Sequence, residues 1–79
     1  MNREEIELRL GGVFSDVFRR EVTLSATTTA ADIAGWDSLT HIRLMLSIQQ
    51  SFGIRVTAAE ASGIASVGDL IALLERKLK

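Results

Sequence analysis

The sequence predicts an all-α fold: a small helical bundle of three main helices and one short helix, with a long loop between the first two main helices. Two observations carry this prediction. Apolar residues recur at helical spacing in three separate segments, and the 79 residues include no proline that would interrupt a helix. A chain of this length suffices for one domain, so we expect a single domain over residues 1–79.

The first main helix is predicted from Arg3 to Phe18. Its apolar positions follow a helical repeat: Ile6, Leu10, Val13, Phe14 and Val17. Glutamates near its start and arginines after its end complement the helix dipole. Gly11 and Gly12 oppose the prediction, because each glycine costs about 1 kcal/mol in a helix interior.

The segment from Arg19 to Trp36 has no clear period and is predicted to be a loop. Loops of this length are uncommon in a small domain and are often functional. We expect Val22, Leu24 and Ile33 to fix the loop to the core, and residues 29–34 to form a single turn. Trp36 is expected to anchor the end of the loop by packing, because its large side chain favours burial.

The second main helix is predicted from Ser38 to Phe52, with Asp37 as its N-cap and Gly53 as its C-terminal stop. Its apolar residues cover an arc of about 220°, wider than the stripe of roughly 100° that is usual for a surface helix. These residues are Leu39, Ile42, Leu44, Met45, Leu46, Ile48 and Phe52. Either this helix is central to the bundle, or part of its apolar surface serves another purpose.

Two capping signals predict the remaining helices. The stretch "TAAE" at residues 57–60 matches the S/T-x-x-E capping box and starts a short helix that ends at Gly63. The stretch "SVGD" at residues 66–69 is a similar start signal for the last main helix. Its apolar residues are Val67, Leu70, Ile71, Leu74 and Leu78, and its final basic residues are Arg76, Lys77 and Lys79.

Composition excludes several classes of protein. The chain has no cysteine, which rules out disulfides and thiolate metal sites, and its single histidine argues against a histidine-based metal site. Its net charge of −1 is unlike that of basic nucleic-acid modules. No apolar run approaches the roughly 18 residues of a membrane span, and the charged N-terminus lacks a signal-peptide core. We therefore expect a soluble, cytoplasmic monomer without a metal, a nucleic-acid partner or a membrane span.

Ser38 is the candidate functional residue. Because Asp37 can supply the cap, the Ser38 hydroxyl is expected to be free and to face solvent. The positive end of a helix dipole and its unpaired N–H groups favour a phosphate at this position. His41 lies about 60° around the helix from Ser38 without an orienting acid, which argues against a catalytic Ser–His pair. The alternative for Ser38 and Asp37 is that they only cap the helix. His41 could tune partner binding with pH, but we expect an exposed histidine without a role.

These residues resemble the attachment motif of acyl carrier proteins. "GWDSL" before an apolar helix resembles the family's D-S-L motif, and "SFGI", "TAAEA" and "IASVGDL" follow the family's order along nearly the whole chain. D-S-L alone is a weak signal, whereas D-S-L with this spacing is specific. The resemblance implies that Ser38, flanked by Asp37 and Leu39, carries a covalent 4′-phosphopantetheine arm.

The resemblance also implies a function. A phosphopantetheinyl transferase would load Ser38 from coenzyme A, and acyl groups would be held as thioesters on the arm and shuttled between a loading ligase and downstream acyl-processing enzymes. The carrier itself would have no catalytic activity. Leu46 corresponds to an apolar position that partners contact, and Ile64 to a position that lines the acyl-binding cleft. Plain core packing is the alternative role for Leu39, Leu46 and Ile64.

The predicted second helix departs from the family in its charge. Carriers of fatty-acid synthesis typically have an acidic second helix, whereas residues 38–52 contain no acid and one charged side chain, Arg43. Charge on such a surface sets partner choice and encounter rate. We therefore expect Arg43 to contact partners from a specialised rather than a housekeeping fatty-acid pathway. A solvated arginine without a role is the alternative.

Two further functions stay open at this point. The chain could carry aminoacyl or hydroxyacyl groups loaded by an adenylating ligase. It could also be a small helical DNA-binding or interaction domain, but DNA binding requires a basic face. Arg76, Lys77 and Lys79 are too few and too terminal to supply one.

Overall fold

Four α-helices occur within residues 2–78, the part of the chain that this computed structural model describes. They are α1 (Arg3–Phe18), α2 (Ser38–Phe52), α3 (Ala58–Ser62) and α4 (Val67–Lys77), and a 3₁₀ turn at Ala30–Asp32 lies between α1 and α2. The all-α class is confirmed, and so are the predicted bounds of the first two main helices. The prediction for Lys79 lies outside the described residues. Within residues 2–78, no helix is both long enough and apolar enough to cross a membrane.

The ends of α1 explain why it forms despite its two glycines. Asn2 and Glu5 make a reciprocal capping box, in which the Glu5 N–H donates to Asn2 Oδ1 at 2.8 Å and the Asn2 N–H donates to Glu5 Oε1 at 3.2 Å. The helix ends where Arg19 adopts a left-handed backbone with φ of 56°. Gly11 and Gly12 are ordinary helical residues whose α-carbons have open space around them.

The core lies between α1, α2 and α4. Its largest fully buried side chains come from these three helices: Ile6, Leu10, Phe14, Leu44, Ile48, Leu70, Leu73 and Leu74. Burying one such side chain contributes about 1.5–3 kcal/mol. These helices therefore form the stable frame on which the rest of the chain is held.

The loop between α1 and α2 is held to this frame at several points along its length. Near α2, Ile33 and Trp36 are buried, and the Trp36 indole packs edge-on against the Phe14 ring with 5.5 Å between centroids. At the start of α4, the Val67 N–H donates to the Thr28 carbonyl at 2.8 Å. Val22 and Leu24 are partly buried against the core as well, so the expectation that these two residues, Ile33 and Trp36 anchor the loop by packing is confirmed.

The start of α4 passes very close to the same loop at Gly68. Its N–H donates to the Ala26 carbonyl oxygen at 3.0 Å, and a β-carbon added at Gly68 would lie only 2.6 Å from that oxygen. Only glycine fits there without a shift of the backbone. The predicted N-cap of α4 is confirmed, because the Ser66 side chain accepts from the Asp69 N–H.

Candidate functional site

The start of α2 is built as the sequence predicts. Asp37 has an extended backbone, and its Oδ1 accepts a hydrogen bond from the Thr40 N–H at 2.9 Å. That hydrogen bond is the main reason that the pKa of the Asp37 carboxyl lies below its usual value. Asp37 therefore stays ionised at neutral pH and holds the first turn of α2 in place.

Ser38 follows as the first residue of α2, and it is exposed. Across residues 2–78, no side-chain hydrogen bond involves its Oγ, because Asp37 supplies the cap. The hydroxyl is thus accessible and uncommitted, as expected. It also lies at the positive end of the α2 dipole, where a phosphate ester is favoured.

An apolar groove of about 640 Å³ runs beside Ser38, between α2 and α3. On the α2 side it is lined by Trp36, Asp37, Ser38, His41 and Ile42, and on the other side by Ala30, Ala58, Ala61, Ser62 and Ile64. Ile64, predicted to line a cleft between the later helices, does line this groove, and it also packs against the core. Ile64 therefore contacts both the core and the groove.

His41 forms an unexpected link across this groove. The Trp36 indole N–H donates to His41 Nδ1 at 3.0 Å, and His41 Nε2 lies 2.8 Å from the Ala61 carbonyl oxygen. The two rings are stacked, with centroids 6.1 Å apart. His41 is half-buried, so the prediction of an exposed histidine without a role is wrong. Its one signal in the sequence is its position five residues after Trp36.

The apolar arc of α2 divides into a buried half and an exposed half. Leu44, Met45, Ile48 and Phe52 are buried in the core. Leu39, Ile42 and Leu46 are 62%, 58% and 55% exposed, which is unusual for such large apolar side chains. Plain core packing is therefore the wrong role for Leu39 and Leu46. We call the surface formed by Leu39, Ile42 and Leu46 the exposed α2 face.

Positive charge borders this face. Arg43 is exposed on α2, and among residues 2–78 it forms no ion pair. At the far end of the helix, Arg9 of α1 donates to the Ser51 carbonyl at 3.1 Å and its guanidinium carbon lies 5.7 Å from the centre of the Phe52 ring. Since residues 38–52 contain no acid, Arg43 is the one Lys, Arg, Asp or Glu on α2. Its spacing from Leu39 and Leu46 places it beside the exposed α2 face.

Comparison with known proteins agrees with this arrangement. Residues 9–74 match the family described as "Phosphopantetheine attachment site". The chain is similar to an acyl carrier protein of Thermotoga maritima, with 32% identity over 98% of this chain and 96% of that protein. It is also similar to a putative mitochondrial acyl carrier protein of Schizosaccharomyces pombe, with 30% identity over 94% of this chain and 68% of that protein.

A solved structure has the same fold. The solution NMR structure of a holo acyl carrier protein from Geobacter metallireducens superimposes with a TM-score of 0.82, at 36% identity. The match covers 87% of this chain and 80% of that one. Their likeness therefore extends over most of the chain rather than over one motif.

Fold and site together define a helical carrier for a covalently attached prosthetic arm. An accessible serine oxygen, the positive end of a helix and an adjacent apolar groove all fit a phosphate ester with a long flexible chain. The chain belongs to the acyl carrier protein family, and its cofactor is covalent 4′-phosphopantetheine. Membership of this family favours a carrier over the DNA-binding alternative.

Proposed function

We propose that Ser38 is the attachment residue and that residues 1–79 form one carrier domain, which passes acyl groups between enzymes without catalysing a reaction itself. The observation that carries this proposal is the exposed, uncommitted Ser38 hydroxyl at the start of α2. When attached, the phosphopantetheine arm supplies the thiol on which an acyl group is held as a thioester. The chain has no cysteine that could serve instead.

The neighbouring residues have supporting roles in this proposal. Asp37 fixes the backbone of the first turn of α2, so that Ser38 is held at the exposed start of the helix, where a phosphopantetheinyl transferase can reach it. Leu39 offers an exposed apolar contact directly beside the attachment point. Ile42 and Ile64 give the nearby groove apolar walls that can shelter part of an acyl chain.

The exposed α2 face is the proposed contact with partner enzymes. Three exposed apolar side chains beside Arg43 favour a partner whose apolar surface is bordered by acidic groups. A basic partner surface, suited to an acidic carrier helix, would be repelled by Arg43. This charge pattern supports a carrier for a specialised pathway rather than for housekeeping fatty-acid synthesis. It is equally compatible with an aminoacyl or hydroxyacyl carrier loaded by an adenylating ligase.

Ser38→Ala tests the attachment residue. Incubation with a broad-specificity phosphopantetheinyl transferase and coenzyme A is expected to add one phosphopantetheine group to the unmodified chain, measured by intact mass. The Ser38→Ala variant should gain none. Ser62→Ala is the matched control, because Ser62 lies on the other wall of the same groove and should leave loading unchanged. A wild-type chain that stays unmodified, or a Ser38→Ala chain that is still modified, would overturn the proposal.

The cargo found on the protein purified from its host tests the pathway. Short acyl, hydroxyacyl or aminoacyl groups on the arm, identified by mass, would support a specialised carrier. Aminoacyl or hydroxyacyl groups would favour the ligase-loaded alternative. A population dominated by long saturated acyl chains would contradict the specialised assignment while leaving the carrier function intact.

A further inference from the structure

The short helix α3 is the least self-sufficient element of the fold. Its five residues are too few to form a stable helix alone, because helices shorter than about 12 residues are marginal in water. Ala61 and Ile64 pack only partly against the core. Within residues 2–78, two side-chain hydrogen bonds join α3 to other helices: His41 to the Ala61 carbonyl, and Lys77 to Glu60.

The hydrogen bonds around His41 determine where its proton lies. An indole N–H can only donate, so His41 Nδ1 must accept from Trp36 and carries no proton. The proton of the neutral ring is then on Nε2, which donates to the Ala61 carbonyl. One neutral imidazole thus joins the loop before Ser38 to α3.

Protonation is incompatible with this bridge. A second proton on Nδ1 would face the Trp36 N–H, and two donors cannot share a hydrogen bond. The indole N–H would lose its partner in a part-buried position and would face a second donor. The loss of this partner costs free energy, so the cationic ring must turn away or the elements around it must separate.

We propose that His41 is a positioning residue whose neutral imidazole latches α3 to α2, and that protonation of His41 releases α3 from the wall of the groove beside Ser38. Ala58, Ala61 and Ser62 line the α3 side of that groove, so release changes its width. The latch itself is independent of what the protein carries. Any effect of the latch on a sheltered acyl chain rests on the proposed function.

The elements around the imidazole carry several charged groups, among them Arg20 and Asp37 of the loop, Arg43 of α2, Glu60 of α3 and Lys77 of α4. Among residues 2–78, no carboxylate oxygen lies within 4.0 Å of an imidazole nitrogen to stabilise its cation. Thr40 lowers the pKa of Asp37, and Thr57 and Lys77 lower the pKa of Glu60 to about 2. Neither carboxylate changes charge near neutral pH, where imidazoles titrate.

NMR spectroscopy of the full chain, recorded over a series from neutral to acidic pH, tests the latch. The sequence has one histidine and one tryptophan, so the imidazole and indole signals are each unique. At the upper pH the imidazole ¹⁵N shifts should report the Nε2–H tautomer. On acidification we expect the indole N–H signal to move with the imidazole titration. The hydrogen-exchange protection factors of Ala61 and Gly63 should fall about fivefold over the same range, as expected for the loss of one neutral hydrogen bond.

Two variants separate the latch from a general acid effect. In His41→Phe, which keeps a ring but neither titrates nor bonds, α3 protection should be low and independent of pH in this range. In Lys77→Met, which removes the other contact of α3, protection should fall at every pH but retain the acid-dependent step. An Nδ1–H tautomer in the wild type would overturn the proposal. So would hydrogen-exchange protection factors in α3 that stay constant while the imidazole is protonated. These wild-type readouts decide the question even if His41→Phe fails to fold, and they do not depend on loading of Ser38.

Discussion

The junction of α2 with α1 and the junction of α2 with α3 are held together in different ways. Against α1, fully buried side chains such as Leu44 and Ile48 pack onto Phe14 and its neighbours, and no buried polar residue interrupts them within residues 2–78. Against α3, the half-buried His41 makes two hydrogen bonds beside an apolar groove, one with the Trp36 indole N–H and one with the Ala61 carbonyl oxygen. Apolar packing is nearly independent of pH, whereas a histidine bridge is not. The helix α2 therefore contributes both to the apolar core and to the pH-sensitive contact with α3.

The largest expected effect on stability comes from removing a buried side chain at the junction of α2 with α1. Leu44→Ala should lower the free energy of unfolding by about 2–5 kcal/mol, because it removes a fully buried side chain and leaves a cavity. Leu46→Ala is the matched control on the same helix: its side chain is 55% exposed, so we expect a change within about 0.5 kcal/mol. Urea denaturation followed by the fluorescence of Trp36 measures both. Equal losses in the two variants would contradict the division of α2 into a buried and an exposed half.

The division of α2 into a buried and an exposed half separates what the sequence predicts from what it does not. The bounds of α1 and α2 and the Asp37 cap follow from local signals, which are apolar periodicity and capping chemistry. The 220° apolar arc, by contrast, indicates how much apolar surface α2 has, but not which part of that surface is buried. Which half of the arc is covered depends on where α1 and α4 lie.

Two features of the site depend on distant partners and were missed for that reason. His41 bonds a carbonyl oxygen that lies 20 residues further along the chain. Gly68 looks like an ordinary residue of a capping signal, and its close approach to Ala26 exists only once the loop lies against α4. No periodicity or capping rule contains either contact. The exposed Ser38 hydroxyl could be predicted because its cap is a neighbour in sequence.

The second expected effect compares the stability changes at two glycines, one close-packed and one with open space around it. Gly68→Ala should destabilise the fold by about 1–3 kcal/mol, because its β-carbon would press on the Ala26 carbonyl oxygen. Gly11→Ala should instead stabilise the fold by about 0.5–1 kcal/mol, since alanine is the better helix former and space is open there. Urea denaturation compares the two variants. Stabilisation by both substitutions would show that the loop yields to the added methyl group.

The smallest expected effect concerns the other contact that holds α3. Glu60 Oε1 accepts from the Thr57 N–H at 2.9 Å and from Lys77 Nζ at 2.9 Å. These contacts, with Thr57 first, lower the pKa of Glu60 from 4.5 to about 2. Because the folded-state pKa is the lower one, this contribution to stability is present above about pH 4.5 and is lost as the pH falls towards 2.

Lys77→Met should therefore raise the pKa of Glu60 only part of the way to its ordinary value, because the Thr57 hydrogen bond remains. NMR titration of the Glu60 carboxyl carbon measures this shift. Arg76→Met is the control, since it removes the neighbouring cation of the same last turn but leaves the contact with Glu60 in place. A pKa that is unchanged in Lys77→Met would mean that α3 is held on this side by its capping box alone. His41 would then be the only polar side chain that ties α3 to another helix within residues 2–78.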